Sequence, residues 1–269
     1  MKHKYSLVHL SDISCPPPQF IYAAAEAGYD CVSLRTIPMG LKGEVPHDIA
    51  ADRQLFQDTK KALEDTGIYI NDTENARIYD GVEISAYEPA IAAIAEFGVK
   101  HLLTNIWTPD KAYYTEKFCE LCDLAAKYDM TVNVEFVTWA SVKDMKSVKE
   151  LLLASGKKNV GVVVDLLHFH RSRCQISEFD SMPAEWFNYV HLCDTYKEIP
   201  EDEESLIHTG RAERLYPGEG EIDIAGVLKK VPQASRGIEV PHLERVKELG
   251  LTEHARRALE YAKKNFDQI

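Results

Sequence analysis

The amino-acid sequence predicts an α/β protein, a (β/α)8 TIM barrel formed by residues 1–269 as a single domain. Three observations carry this. Eight short apolar segments alternate with helical or helix-sized intervals, the arithmetic of parallel strands with helices outside them. The joints repeat in kind: Ala27-Gly-Tyr-Asp30, Thr66-Gly-Ile-Tyr69 and Phe97-Gly-Val-Lys100 each place glycine at a helix C-terminus just ahead of a strand. The length of 269 residues suits a barrel of about 250 residues. A doubly wound open sheet uses the same alternation but rarely so many units. The first strand–helix turn also lacks the glycine-rich phosphate fingerprint of that fold.

Tyr5 to Leu10 reads as the first strand, and Pro16 to Ala27 as a helix opened by prolines and closed by Gly28. Tyr29 to Arg35 is the second strand, followed by a loop rich in Gly and Pro and a helix over Asp52 to Glu64. Gly67 to Asn71 is the third, with a helix from Glu83 to Phe97; Lys100 to Asn105 is the fourth, with a helix from Tyr113 to Tyr128. Met130 to Phe136 is the fifth, with a helix near Val142 to Ser155. Asn159-Val-Gly-Val-Val-Val-Asp165 is the sixth, and its unbroken apolar run marks a strand buried on both faces. Asn188 to Asp194 and Ser235 to Val240 complete the set, and Thr252 to Asn265 forms the last helix. The acidic stretch Lys197 to Glu204 is expected to be a solvated loop.

A net charge of −12 argues against a nucleic-acid backbone or an anionic membrane as the main partner. No apolar run is long enough to span a bilayer. The segment Met1-Lys-His-Lys-Tyr-Ser-Leu-Val8 is basic but lacks the apolar region and cleavage site of a signal peptide. Six cysteines dispersed through the chain fit reduced thiols, and hence a cytoplasmic location, better than a disulfide framework. Cys119 and Cys122 form a C-x-x-C, but within a helical pattern and without a second pair, so they are expected to be ordinary thiols.

In a barrel of this kind the chemistry sits at the C-terminal ends of the strands. Strand five ends with Glu135, strand six with Asp165, strand seven carries His191, and strand eight carries Glu239, each between apolar neighbours. One such residue would read as half of a buried ion pair. Four on consecutive strands at equivalent positions point instead to a shared divalent metal, because buried charges are paired or coordinate metals. Three carboxylates and one imidazole suit Mn²⁺ or Mg²⁺, with Co²⁺ or Zn²⁺ as alternatives.

Val132-Asn-Val-Glu-Phe136, Val164-Asp-Leu-Leu-His168, Tyr189-Val-His-Leu-Cys-Asp194, Arg214-Leu-Tyr-Pro-Gly-Glu-Gly-Glu-Ile-Asp223 and Gly237-Ile-Glu-Val240 together resemble the xylose isomerase-like TIM-barrel superfamily, within it the sugar phosphate isomerase/epimerase type. The likeness to ketose 3-epimerases and inosose dehydratases implies that Glu135, Asp165, His191 and Glu239 bind one divalent metal. It further implies that His168 and Arg214 contact substrate, and that Glu135 and Glu239 double as catalytic acid/base groups. There are departures. The DNA-repair endonuclease branch uses further histidines on strands three and four, where this chain has Asn71, Asp72 and Glu74, and Thr104 and Asn105. Many sugar epimerases carry Glu at the end of strand two, where this chain has Arg35. Arg35 reads either as a substrate contact or as the partner of Glu74 or Asp72.

The expected activity is therefore a metal-dependent isomerisation or epimerisation of a small carbohydrate-like substrate through an enediolate. Expelling a β-hydroxyl from the same intermediate would make the enzyme a dehydratase, of the inosose or 3-dehydroshikimate type. A barrel retained as a non-catalytic binding module is the reading from another class. A homo-oligomer is compatible with the sequence but not specified by it. Among the remaining candidates, His170, Arg171 and Arg173 lie further into the loop after strand six. Arg211 competes with Arg214, Asp194 is either an orienting group or a turn cap, and Trp107 and Trp139 are placed to wall a pocket.

Overall fold

Eight parallel strands pair in sequence order, and the last closes onto the first. They are β1 (Tyr5–Val8), β2 (Cys31–Arg35), β3 (Tyr69–Glu74), β4 (His101–Thr104), β5 (Thr131–Glu135), β6 (Val160–Asp165), β7 (Tyr189–Leu192) and β8 (Ser235–Ile238). This computed structural model describes residues 3–39 and 45–269, so part of the Gly- and Pro-rich loop after β2 lies outside the described residues. The helices are α1 (Pro17–Ala27), α2 (Arg53–Thr66), α3 (Glu88–Ala95), α4 (Lys111–Ala126), α5 (Met145–Ser155), α6 (Leu166–Arg171), α7 (Glu203–Ala212), α8 (Ile224–Lys230), α9 (Leu243–Leu249) and α10 (Leu251–Phe266).

The strand period of two sorts the side chains between two environments. Val132, Val134, Val162, Val164, Val190, Leu192, Ile238 and Val240 join the core between sheet and helices, together with Phe20, Phe118, Leu151 and Leu259. The alternate positions hold a small separate cluster of Leu103, Val163 and Tyr189 from β4, β6 and β7 and, at the ends of β5, β6 and β7, Glu135, Asp165 and His191. The β6 strand is buried at every position, as its unbroken apolar run requires. The glycine joints close α1 and α2 as expected, with Gly28 at φ 94° and Gly67 at φ 73°, values that a side chain would resist.

Several boundaries differ from the sequence reading. β1 stops at Val8, and His9–Asp12 form a 3-10 turn instead. β3 begins later and runs on to Glu74, which carries Asp72 into the barrel wall; a polar run looked like a loop but pairs edge to edge with β2. The helix after β3 splits into a 3-10 turn, Ile84–Tyr87, and α3, which starts at Glu88 just ahead of Pro89. β8 ends at Ile238, leaving Glu239 one residue beyond the strand. Residues 166–171 are helical rather than loop, because the Asp165 carboxylate accepts from the His168 N–H and caps α6. The acidic stretch is likewise not all loop: Asp202 caps α7 through the Ser205 N–H.

Candidate metal centre

Register places the four strand-end residues side by side. His191 pairs with Asp165 on one side and Gly237 on the other, and Glu135 pairs with Val163 two positions before Asp165. Gly237 is required there: a Cβ would stand 2.9 Å from His191 Cδ2 and from Val8 Cγ2. The ligand atoms of Glu135, Asp165, His191 and Glu239 all lie within 4.8 Å of one another, and all four residues are buried. His191 Nδ1 is 3.6 Å from both Glu135 Oε1 and Glu239 Oε2, and neither ring nitrogen has a hydrogen-bond partner among the described residues.

The charges around the set are coupled. Arg214, itself buried, holds Asp165 Oδ2 at 2.5 Å and Glu239 Oε2 at 2.8 Å, and its Nε donates to the Gly210 carbonyl at 2.7 Å. Burial would raise the Asp165 pKa, but the Arg214 charge holds it well below the usual carboxylate range. Burial pushes Glu239 up, against the opposing pull of Arg214 and His191. Burial would lower His191, yet the Glu239 and Glu135 carboxylates hold it well above its ordinary value. Once His191 gives up its proton, as an imidazole ligand must, Arg214 offsets one of the three carboxylate charges and two are left uncompensated. That is the charge a divalent cation carries, and the oxygen-rich donor set with an unpartnered imidazole nitrogen fits one.

A second close group, Asp72, Glu74 and His191, also falls within 4.8 Å. Glu74 Oε2 already binds Arg35 at 2.6 Å, and Asp72 Oδ1 accepts from Ser33 Oγ and Asn71 Nδ2. A guanidinium supplies the counter-charge there, which leaves the first set as the candidate metal centre. Burial pushes the Asp72 carboxyl up to about 7. Of the two readings of Arg35, the ion pair with Glu74 is observed, and the side chain also lines the central cavity.

That cavity, of about 530 Å³, opens over the strand ends and is lined by Glu135, Glu239, His168, Arg214, Trp107 and Trp139 among others. His168 is buried; its Nδ1 accepts from the Thr138 N–H at 3.3 Å, which puts the proton of the neutral ring on Nε2. Burial lowers its pKa to about 3. Asn105 Nδ2 donates to Glu135 Oε2 at 3.4 Å, while Trp107 Nε1 donates to Asn105 Oδ1 at 2.6 Å, a positioning chain that the sequence did not disclose. Thr138 was missed for the same reason: partners so distant in sequence carry no local signal. Arg171 is structural, donating to Leu206 O and Thr209 Oγ1, and His170 Nε2 lies against the Lys197 carbonyl. Asp194 is a loop organiser, accepting from the Thr195, Gly218 and Ile222 N–H groups.

A closed parallel barrel with a carboxylate–imidazole centre at its strand ends defines a class of barrel proteins suited to a divalent metal. More particularly, the chain belongs to the xylose isomerase-like TIM barrel family, whose model matches residues 21–264. It is 24% identical over 219 residues to an inosose isomerase of Bacillus velezensis, covering 77% of this chain and 75% of that protein. Its fold matches the IolI protein solved with a bound zinc atom, at TM-score 0.79 and 18% identity over 99% of both chains. A D-allulose 3-epimerase from Methylomonas sp., solved with D-allulose, matches at TM-score 0.70 and 15% identity over 98% of both. Among the described residues, no helix is long and apolar enough to cross a membrane.

Proposed function

We propose that the protein is a divalent-metal-dependent isomerase or epimerase acting on a keto-sugar or related polyol through an enediolate. The observation that carries this reading is the buried Glu135–Asp165–His191–Glu239 set, with two of its carboxylates exposed to one cavity. Glu135, Asp165, His191 and Glu239 hold the cation; Mn²⁺ or Mg²⁺ suits the donor set, with Zn²⁺ or Co²⁺ as alternatives. When bound, the cation supplies Lewis acidity toward a substrate carbonyl, which makes the adjacent C–H more acidic.

Glu135 and Glu239 are the acid/base pair. Both line the cavity and flank His191 at equal distance. One removes the α-proton and the other returns a proton to the opposite face, which inverts the carbon. His168 presents an Nε2–H donor for a substrate oxygen, and Arg214 keeps Asp165 and Glu239 oriented while facing the same space. Arg35 borders the substrate from its pairing with Glu74. All six cysteines are free, which fits a reducing, cytoplasmic setting.

The test is solvent-deuterium exchange. Metal-stripped protein is reloaded with Mn²⁺, Mg²⁺ or Zn²⁺ and incubated in D₂O with keto-sugars, inososes and 3-dehydroshikimate. Exchange at the α-carbon without loss of water, dependent on added metal, is the expected result. A new alkene absorbance would replace isomerisation by dehydration. Absence of both across the panel would sink the enzymatic reading in favour of a binding module.

A further inference from the structure

Each guanidinium in the depth of the cavity faces a carboxylate, whereas one at its mouth does not. Arg214 is held by Asp165 and Glu239, and Arg35 by Glu74. Arg211, in the last turn of α7, lines the same cavity but makes no hydrogen bond or ion pair among the described residues. Glu203 and Glu204 border the shallow groove on its other side, and neither forms an ion pair with it. Asp12, a further carboxylate of the wall, accepts from Ser14 Oγ. Partial desolvation at the cavity wall lowers the Arg211 pKa, and the charges of Arg35 and Arg77 lower it further. Arg211 therefore points its charge into a space that already contains cations, a placement that an incoming anion would stabilise. A guanidinium offers a planar fork that matches the oxygens of a carboxylate or phosphate.

We infer that the substrate carries an anionic group, a carboxylate or a phosphate, remote from its carbonyl, and that Arg211 receives it at the cavity mouth. The position of the carbonyl end rests on the function proposed above; the anion contact does not. The substrate class is thus an acidic or phosphorylated keto-sugar rather than a neutral one. Arg211 lies at the mouth and is exposed, so its replacement leaves the buried centre and the core intact.

Equilibrium binding to the Mn²⁺-loaded full chain tests this without turnover. Calorimetry compares glucuronate with glucose for the carboxylate arm, and sorbitol 6-phosphate with sorbitol for the phosphate arm. A charge-assisted contact predicts that at least one charged member binds about tenfold or more tightly than its neutral counterpart. That advantage should collapse in Arg211→Gln while binding of the neutral member stays within about twofold. The inference is overturned if neither charged member gains over its counterpart, or if the gain survives in Arg211→Gln. Deuterium exchange, measured separately, tells failure of the enzymatic reading from failure of the anion site.

Discussion

His191 is the side chain around which the candidate centre is arranged. It sits at equal distance from two carboxylates, with both ring nitrogens unpartnered and a glycine on the neighbouring strand leaving room for the ring. Gly237→Ala forces a methyl group against His191 Cδ2, so we expect a loss of roughly 1–3 kcal/mol, as for overpacking, read from urea unfolding. The same variant should bind Mn²⁺ more weakly by equilibrium dialysis, because the displaced ring no longer faces the carboxylates. Unchanged affinity would mean that the imidazole is not a ligand. Under the proposed function, Glu239→Gln removes both a ligand charge and an acid/base group. Metal content should fall, and exchange activity should drop by about 10²-fold or more. Full turnover with full metal content would remove Glu239 from the centre.

At the scale of elements, α6 and α7 carry the cavity wall. Asp165 ends β6, caps α6 and pairs with Arg214, so one residue couples a strand, a helix and the centre. Arg171 on α6 fastens α7 through the Leu206 carbonyl and Thr209, and α7 in turn presents Gly210, whose carbonyl holds Arg214 Nε. Arg171→Met strips these acceptors of their donor. A cost of about 1–3 kcal/mol is expected, again from urea unfolding, with faster hydrogen exchange in α7 than in β6. Equal change in both elements would show that the tie is not local. The sequence places Asp165 at the end of β6 but shows none of these ties, since Arg171 reads there only as a loop residue after strand six and residues 197–204 as a solvated loop.

The whole molecule responds to acid and to metal in ways that follow from burial. His9 and His254 are buried, and burial lowers their pKa values to about 3 and about 4. Each is neutral in the folded chain while the unfolded chain takes up a proton near pH ~6.5. Their contribution is therefore complete above that pH and is lost as pH falls toward the folded values, at up to about 1.4 kcal/mol per pH unit for each. Asp72, pushed up to about 7, acts in the opposite sense, so the test is a difference: between pH 7.5 and pH 5 the urea midpoint of chelator-treated His254→Gln should fall less, or rise more, than that of the unsubstituted protein. An identical pH dependence in the two proteins would contradict this account. Under the proposed function a divalent metal binds only the assembled centre, so loading should raise the melting temperature and chelation should reverse it. No shift with any of the proposed metals would argue against the site.

The sequence by itself determined the barrel and the identity of the clustered residues, because both follow from local rules. Strand and helix alternate with their own periods, the glycine joints end α1 and α2, and polar residues at the ends of strands five to eight can only be brought together by parallel pairing in order. Only the tertiary structure decided what those residues contact. Arg214 is locked between Asp165 and Glu239, Arg35 is held by Glu74, Thr138 fixes the His168 tautomer, and Arg211 is left unpaired among the described residues. The physical reason is that a period constrains which way a side chain points, whereas an ion pair depends on distances across the barrel, between residues whose separation along the chain carries no signal.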